Sequence, residues 1–397
     1  MAAAPVDPRA ALAAMALVVC VALAAGSAGA THSASASAAA AAGQLPNGTI
    51  ITSTATAGGG SRLIDVGAVD GRRDPLGSGG DPAVRDVSPA WSERPRHLAF
   101  LRFAREEVSL VVVDAGGRIQ RRIALGPVSA RTARIRHIVT GPQWSPDGRN
   151  IVLEQRVVDA SGLDPPKSRI LLVDPRRGTT SVLARGSSPT FLGNARVAFV
   201  RQRWHLVTEM GGARVSRPDG AQLLTIGIKG GAAEVLHTTD KDLPPSGANA
   251  ELYAGAVGSL SGERVALTVG DDQGAPWDLL LVDRLGRVQW PAGGTEGPDV
   301  IAWSPNGDRL ALVEGDDVLV SDGRRQRLLP AMGSRLRRPT VWAVAWSPDG
   351  RLLAALSCRF FAGRCEISRL RLGDAHWRQL THVYLREGSP TTLVWRR

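Results

Sequence analysis

The pentapeptide Trp144-Ser145-Pro146-Asp147-Gly148 returns as Trp303-Ser304-Pro305-Asn306-Gly307 and again as Trp346-Ser347-Pro348-Asp349-Gly350. A fixed-period repeat constrains a fold more than local propensity does, because each unit must bury its apolar face against its neighbours. The last two tryptophans stand 43 residues apart, which reads as the length of one four-stranded β unit rather than of a helical hairpin repeat.

The residue types in the pentapeptide specify a tight turn. Proline presets φ, Asp or Asn tolerates the next position, and glycine closes the turn without steric cost. The tryptophan before it ends one strand and is large enough to fill the space between neighbouring units. Short apolar runs follow: Ile151-Val152-Leu153, Leu310-Ala311-Leu312-Val313 and Leu352-Leu353-Ala354-Ala355-Leu356. Bounded by turn residues and too short for helices, they read as buried strands.

Eroded copies fill the gaps. Trp91-Ser92-Glu93-Arg94-Pro95 leads into Leu98-Ala99-Phe100-Leu101, Phe191-Leu192-Gly193-Asn194 into Val197-Ala198-Phe199-Val200, and Leu260-Ser261-Gly262-Glu263 into Val265-Ala266-Leu267-Thr268, with Gly258 in the tryptophan position. Third strands recur too, as Leu110-Val111-Val112-Val113-Asp114, Ile170-Leu171-Leu172-Val173-Asp174 and Leu279-Leu280-Leu281-Val282-Asp283. Six four-stranded units are thus expected. Thr49–Ser53 and Arg62–Val66 supply strands of a seventh, and Thr391–Trp395 supplies its first strand. The expected fold is an all-β propeller with seven blades, six being the alternative. Pairing of the N- and C-terminal strands would close the ring and remove its edges.

The Trp-Ser-Pro-Asp-Gly-Arg pattern, with Ser88-Pro89-Ala90-Trp91-Ser92 before it, resembles the TolB-type, WD-like propeller repeat family over roughly residues 48 to 395. That family includes periplasmic proteins and propellers attached to serine peptidases, so the resemblance implies a fold and leaves activity open.

Residues 1–30 carry Arg9, an apolar stretch from Ala10 to Ala25 and the small residues Ala28-Gly29-Ala30, the order of a cleaved signal peptide. An uncleaved membrane anchor is the alternative. Cys20 follows Leu17-Val18-Val19, a poor lipoprotein box because valine occupies the small-residue position. Residues 31–46 include an Ala/Ser tract that reads as a flexible linker, and residues 47–397 as the propeller. The expected location is therefore secreted, or within the cell envelope or periplasm. Cys358 and Cys365 flank a short hairpin, and an even pair in an exported chain favours a disulfide over two free thiols.

The net charge is +11, and apart from Lys167, Lys229 and Lys241 the 48 basic residues are arginines. With so much alanine and glycine, this reflects a GC-rich coding bias more than a nucleic-acid surface. What remains is a preference for anionic partners such as wall polymers, acidic glycans or lipid headgroups.

The long excursions all join second to third strands or blade to blade, on the face opposite the Pro-Asp-Gly turns, and insertions on one face mark a binding face. They bring Arg203, Trp204 and His205; Arg335, Arg337 and Arg338; and Arg359, Phe360 and Arg364. Guanidinium beside aromatic rings suits planar or anionic ligands. The bland alternative is solvated loops with local packing.

Catalytic signatures are weak. Gly258-Ser259-Leu260-Ser261-Gly262 has leucine where a nucleophile elbow needs serine. The sequence therefore favours a monomeric binding or scaffold module for a protein or glycan envelope partner, without a cofactor. The alternative is a hydrolase or lyase at the channel mouth, metal-assisted if His137, His205 and His382 converge from their loops. Trp91, Trp144, Pro146, Asp147, Gly148, Trp303, Pro305, Gly307, Trp346, Pro348, Asp349 and Gly350 are assigned to the scaffold.

Overall fold

The computed structural model describes residues 48–56, 60–76, 81, 83–104, 107–127, 135–139, 141–159, 167–208, 214–238, 252–259, 261–270, 276–289, 300–314, 316–323, 325–332, 340–358, 363–385 and 392–396. The proposed signal peptide and linker lie outside them. Among the described residues the regular structure is all strand, and no helix is long and apolar enough to cross a membrane.

Four sheets have four strands each, paired antiparallel in chain order. They comprise β13 (Ser187–Leu192) to β16 (Glu234–Thr238), β17 (Leu252–Gly258) to β20 (Val288–Gln289), β21 (Val300–Trp303) to β24 (Gln326–Leu328), and β25 (Thr340–Trp346) to β28 (Arg378–Tyr384). A fifth sheet has its first strand split into β8 (Ile135–Val139) and β9 (Gln143–Trp144), both on β10 (Ile151–Asp159), followed by β11 (Lys167–Asp174) and β12 (Thr179–Arg185).

The remaining sheet has eight strands. One group is β4 (Val84–Ser92), β5 (His97–Ala104), β6 (Glu107–Val113) and β7 (Ile119–Pro127). The other brings the chain's two ends together: β29 (Val394–Arg396) pairs antiparallel with β1 (Thr49–Ala55), which continues to β2 (Ser61–Gly67) and β3 (Arg73–Leu76). A single parallel pairing, Ser61 with Arg85, joins the groups.

First strands pack on one another from sheet to sheet: β4 on β9, β9 on β13, β13 on β17, β17 on β21, β21 on β25, β25 on β29 and β29 on β4. The fourth strands lie at the far edges. Apolar residues of neighbouring sheets share core clusters; Val173 and Leu171 pack with Leu110 and Val112, for example.

The repeat tryptophans stitch these sheets together. Trp144, Trp303 and Trp346 are buried, and each indole N–H donates to a carbonyl of the preceding sheet's first strand: Ala90 at 3.0 Å, Val257 at 2.8 Å and Ala302 at 3.0 Å. Each acceptor lies one residue before that strand's own aromatic position. Gly258 breaks the pattern because a Cβ there would lie 2.6 Å from the Phe191 carbonyl oxygen and 2.6 Å from Thr190 Oγ1. The two sheets meet by backbone at this point, and the Gly258 N–H bonds directly to Thr190 Oγ1 at 2.7 Å.

The turn depends on serine as much as on Pro-Asp-Gly. Ser145 Oγ donates to Asp147 Oδ1 at 2.7 Å and accepts from the N–H groups of Arg149 and Asn150. Ser347 repeats this with Asp349 at 2.6 Å and Leu352 N–H at 2.8 Å. The hydroxyl thus satisfies donors that the turn would otherwise leave open. Cys358 and Cys365, directly opposed on β26 (Leu352–Cys358) and β27 (Arg364–Arg371), form a disulfide.

Two sequence expectations need correction. The excursion expected to carry Arg203, Trp204 and His205 is in large part strand: β14 (Arg196–Thr208) and β15 (Arg214–Gly227) form one long hairpin. Histidines 137, 205 and 382 are on strands β8, β14 and β28 rather than in loops. In each case cross-strand pairing outweighs a polar composition, since the backbone ladder does not require apolar side chains.

Candidate functional site

At the ends of the first strands opposite the Pro-Asp-Gly turns, the sheets lose their regularity. Bulges interrupt the pairing of β4 between Val87 and Ala90, β13 between Ser187 and Thr190, β17 between Tyr253 and Gly255, and β25 between Val341 and Ala343. Ser88 and Ser188 adopt left-handed backbone, with φ of 53° and 49°. Bulges twist a strand and re-aim the side chain at the inserted position. In β25 that residue is Trp342.

Trp342 is 40% exposed in a strand whose following residues, Ala343 to Trp346, are all buried. The other large exposed apolar residues lie on fourth strands, as Ile119, Val182, Val235, Leu328 and Tyr384 do, or in third-to-fourth turns, as Val69 and Leu285 do. Among the described residues Trp342 is thus the one large apolar side chain presented to solvent from a first strand.

Buried polar pairs support this end of the fold. Asp86 on β4 takes two hydrogen bonds from Arg102 on β5, both 2.7 Å, and that bonding raises the affinity of Arg102 for its proton against the opposing effect of burial. Glu154 on β10 accepts from Ser168 Oγ at 2.7 Å and from the N–H of the strained Ser188 at 3.0 Å. The carboxylate therefore fixes the bulge of the next sheet. Gln155 bridges Arg169 and the Leu125 carbonyl in the same way. These groups are committed to one another, which suits a rigid frame better than proton transfer.

Of the sequence candidates, the structure brings Arg364 and His382 together. Arg364 Nη2 lies 2.9 Å from His382 Nε2, and His382 Nδ1 lies 3.7 Å from Glu366 Oε1. Gln379 Nε2 lies 3.3 Å from His382 Nδ1 and 3.0 Å from Nε2, so the ring is held by neighbours on both nitrogens. Arg203 is exposed and Trp204 half-buried on β14, with Trp204 opposite Pro218. The backbones of His137 and His205 are in strands, but their side chains lie outside the description, as do residues Arg335, Arg337, Arg338, Arg359 and Phe360 altogether. No three His, Cys, Asp or Glu side chains among the described residues are grouped to hold a metal ion.

No family model matches the sequence, and no curated protein matches it. Solved structures do match in fold. The β-propeller domain of the Trilobed protease from Pyrococcus furiosus is 13% identical with a TM-score of 0.52, over 85% of this chain and 95% of that one. This chain has a β-propeller fold. An oligogalacturonate lyase in complex with manganese is 12% identical with a TM-score of 0.50, over 83% of this chain and 84% of its own. A protein from Lactobacillus plantarum is 9% identical with a TM-score of 0.50, over 89% of this chain and all (100%) of that one. These identities carry the propeller architecture alone, on which unrelated functions are built. Trp342 stands near the start of its first strand, at the end opposite the Trp346-Ser347-Pro348-Asp349-Gly350 turn.

Trp342 does not stand out in the sequence as Arg335, Arg337 and Arg338 do, because Val341-Trp342-Ala343-Val344 looks like a uniformly buried strand. The only signal was a second tryptophan in a blade whose inter-blade position Trp346 already fills.

Proposed function

We propose that this propeller is an exported binding module that meets a protein or glycan partner of the cell envelope at the loop-bearing mouth of its channel. The observation that carries the reading is Trp342: a large ring held at the solvent boundary by a bulge. Exposed Trp is the residue type that most often anchors an interface, offering a broad apolar face at little entropic cost. Buried polar groups in other sheets, Asp86 with Arg102 and Glu154 with Ser168, pair with each other, which suits a rigid docking frame.

The proposal includes seven blades and a closed ring. Seven first strands packed in succession and the pairing of Thr49, Ile50 and Ile51 with Arg396, Trp395 and Val394 support that reading. It also includes a TolB-type relationship, supported by the Trp-Ser-Pro-Asp-Gly turns, and export through residues 1–30, supported by their signal-like order. Arginines of the rim, among them Arg203 and Arg364, give the mouth a preference for anionic or planar groups.

The test is quantitative capture from envelope extract with wild type, W342A and R335A/R337A/R338A. Loss of the same partner from both variants supports the reading. Capture equal to wild type by both removes it.

A further inference from the structure

The Pro-Asp-Gly face carries a feature that the scaffold role of the repeat does not explain. Between the turns of the second full blade is an open cavity of ≈ 350 Å³ lined by Arg149, Asn150, Asp174, Arg176 and Arg177. Arg149 follows the Pro146-Asp147-Gly148 turn, and Arg176 and Arg177 form the tip of the β11–β12 turn. Arg94, from the preceding blade's turn, runs against Gly148 so closely that a Cβ there would lie 1.3 Å from the Arg94 carbonyl oxygen.

The turn backbones are fixed while the guanidiniums stay open. Asp174 Oδ1 accepts from the N–H groups of Arg176 and Arg177, and Arg121 clamps the Arg176 carbonyl oxygen at 3.2 Å. The carboxylates nearest the charges are held at a distance: Arg149 to Asp147 is 3.7 Å with Arg149 71% exposed, and Arg177 to Asp174 is 3.7 Å with Arg177 82% exposed. Arg176 has no carboxylate partner among the described residues. Such exposed pairs are weak and readily exchanged for a stronger anion.

Three other arginines on this face are committed. Arg287 sits 2.6 Å from Asp283, Arg284 3.3 Å from Glu263, and Arg309 lies over the Trp346 ring while donating to the Gly350 carbonyl. A second cavity on the same face, of ≈ 200 Å³, is lined by Asp65, Asp70 and Asp74 besides Arg72. The loosely paired guanidiniums of Arg149, Arg176 and Arg177 thus gather at one cavity.

We propose that Arg149, Arg176 and Arg177 form a docking groove for a linear polymer of phosphate groups, separate from the channel mouth and independent of the role of Trp342. An open groove leaves a single anion hydrated and screened, whereas a chain of linked anions gains from each successive contact. Phosphate also fits better than carboxylate. Its oxygens point in several directions, so guanidiniums from different turns can share one group, while one Arg fork saturates a planar carboxylate.

The test measures binding of linear polyphosphate, inorganic phosphate, polyglutamate and phosphatidylglycerol vesicles to the full chain. Wild type is expected to bind polyphosphate in preference to the others, with an affinity that falls as salt rises. R149A/R176A/R177A should lose about ten-fold in that affinity, the sum of three exposed contacts, with an unchanged melting temperature. R284A/R287A/R325A, which removes equal charge from the same face, should bind as wild type does, and so should W342A. Equal losses in both triple variants, no loss in the first, or a preference for vesicles or polyglutamate overturns the proposal.

Discussion

Arg396 on β29 and Asp65 on β2, 331 residues apart in sequence, form a buried ion pair across β1. Arg396 is 1% exposed, also donates to Thr49 Oγ1 at 2.8 Å, and lies over the Trp91 ring of the next group of strands. Burial disfavours the charged form on both sides: it raises the Asp65 pKa against the pull of Arg396, and lowers that of Arg396 against the pull of Asp65. The pair therefore joins the two ends of the chain at a desolvation cost that each partner offsets for the other.

That balance predicts a steep asymmetry. R396L, which strands the Asp65 carboxylate, should lose about 3–5 kcal/mol of stability, whereas D65L/R396L should recover most of it. Urea unfolding of the two single variants and the double gives the coupling directly. A double variant no more stable than the singles would show that the pair does not act as a unit.

Gly148 and Gly350 occupy the same turn position, with φ of 66° and 67°. Around Gly350 the nearest atoms to a built Cβ are 3.7 Å away, but at Gly148 the Arg94 carbonyl oxygen is at 1.3 Å. G350A should therefore cost only about 1 kcal/mol, the backbone penalty. G148A must also displace the preceding turn and should cost at least about 2 kcal/mol more. Similar melting temperatures for both would contradict the inter-blade contact.

Asp349 is held below the usual aspartate range, first by the Ser347 hydroxyl, then by the Arg351 N–H and charge, which together outweigh its burial. A depressed carboxylate stabilises the fold at pH values above its unfolded-state pKa, and that contribution is lost as pH falls through the folded-state value. Asn306 fills this position in another blade, so D349N is structurally tolerated. Wild type should exceed D349N in stability by a constant amount at pH 6–7, and the gap should close from about pH 4 downwards. A gap unchanged down to pH 2 would rule out the carboxylate as its source.

The Cys358–Cys365 bond closes a short loop, so C358S/C365S should lose about 2–3 kcal/mol on the loop-entropy account. Denaturant melts of wild type with and without reductant should reproduce the difference. Identical midpoints would place its effect elsewhere.

What the sequence made legible was whatever repeats. Trp144, Trp303 and Trp346 announced the blades because one packing problem recurs at each. Gly258 looked like erosion until Phe191 and Thr190 were seen against it. Asp65 and Arg396 gave no signal, because their partnership exists only once the chain ends pair. The β14–β15 hairpin is hard to see in the sequence because Arg203, Trp204 and His205 sit in a polar, arginine-rich segment. Trp342 was hidden by its strand, as one inserted residue reverses the side to which a side chain points.

Hydroxyl-radical footprinting of Trp342, with the protein free and saturated by the partner that wild type captures, tests the central claim most directly. Trp342 should oxidise in the free protein and be protected in the complex, while buried Trp144 and Trp303 stay unmodified in both. Equal oxidation of Trp342 in the two states would place the partner away from the channel mouth and contradict the account.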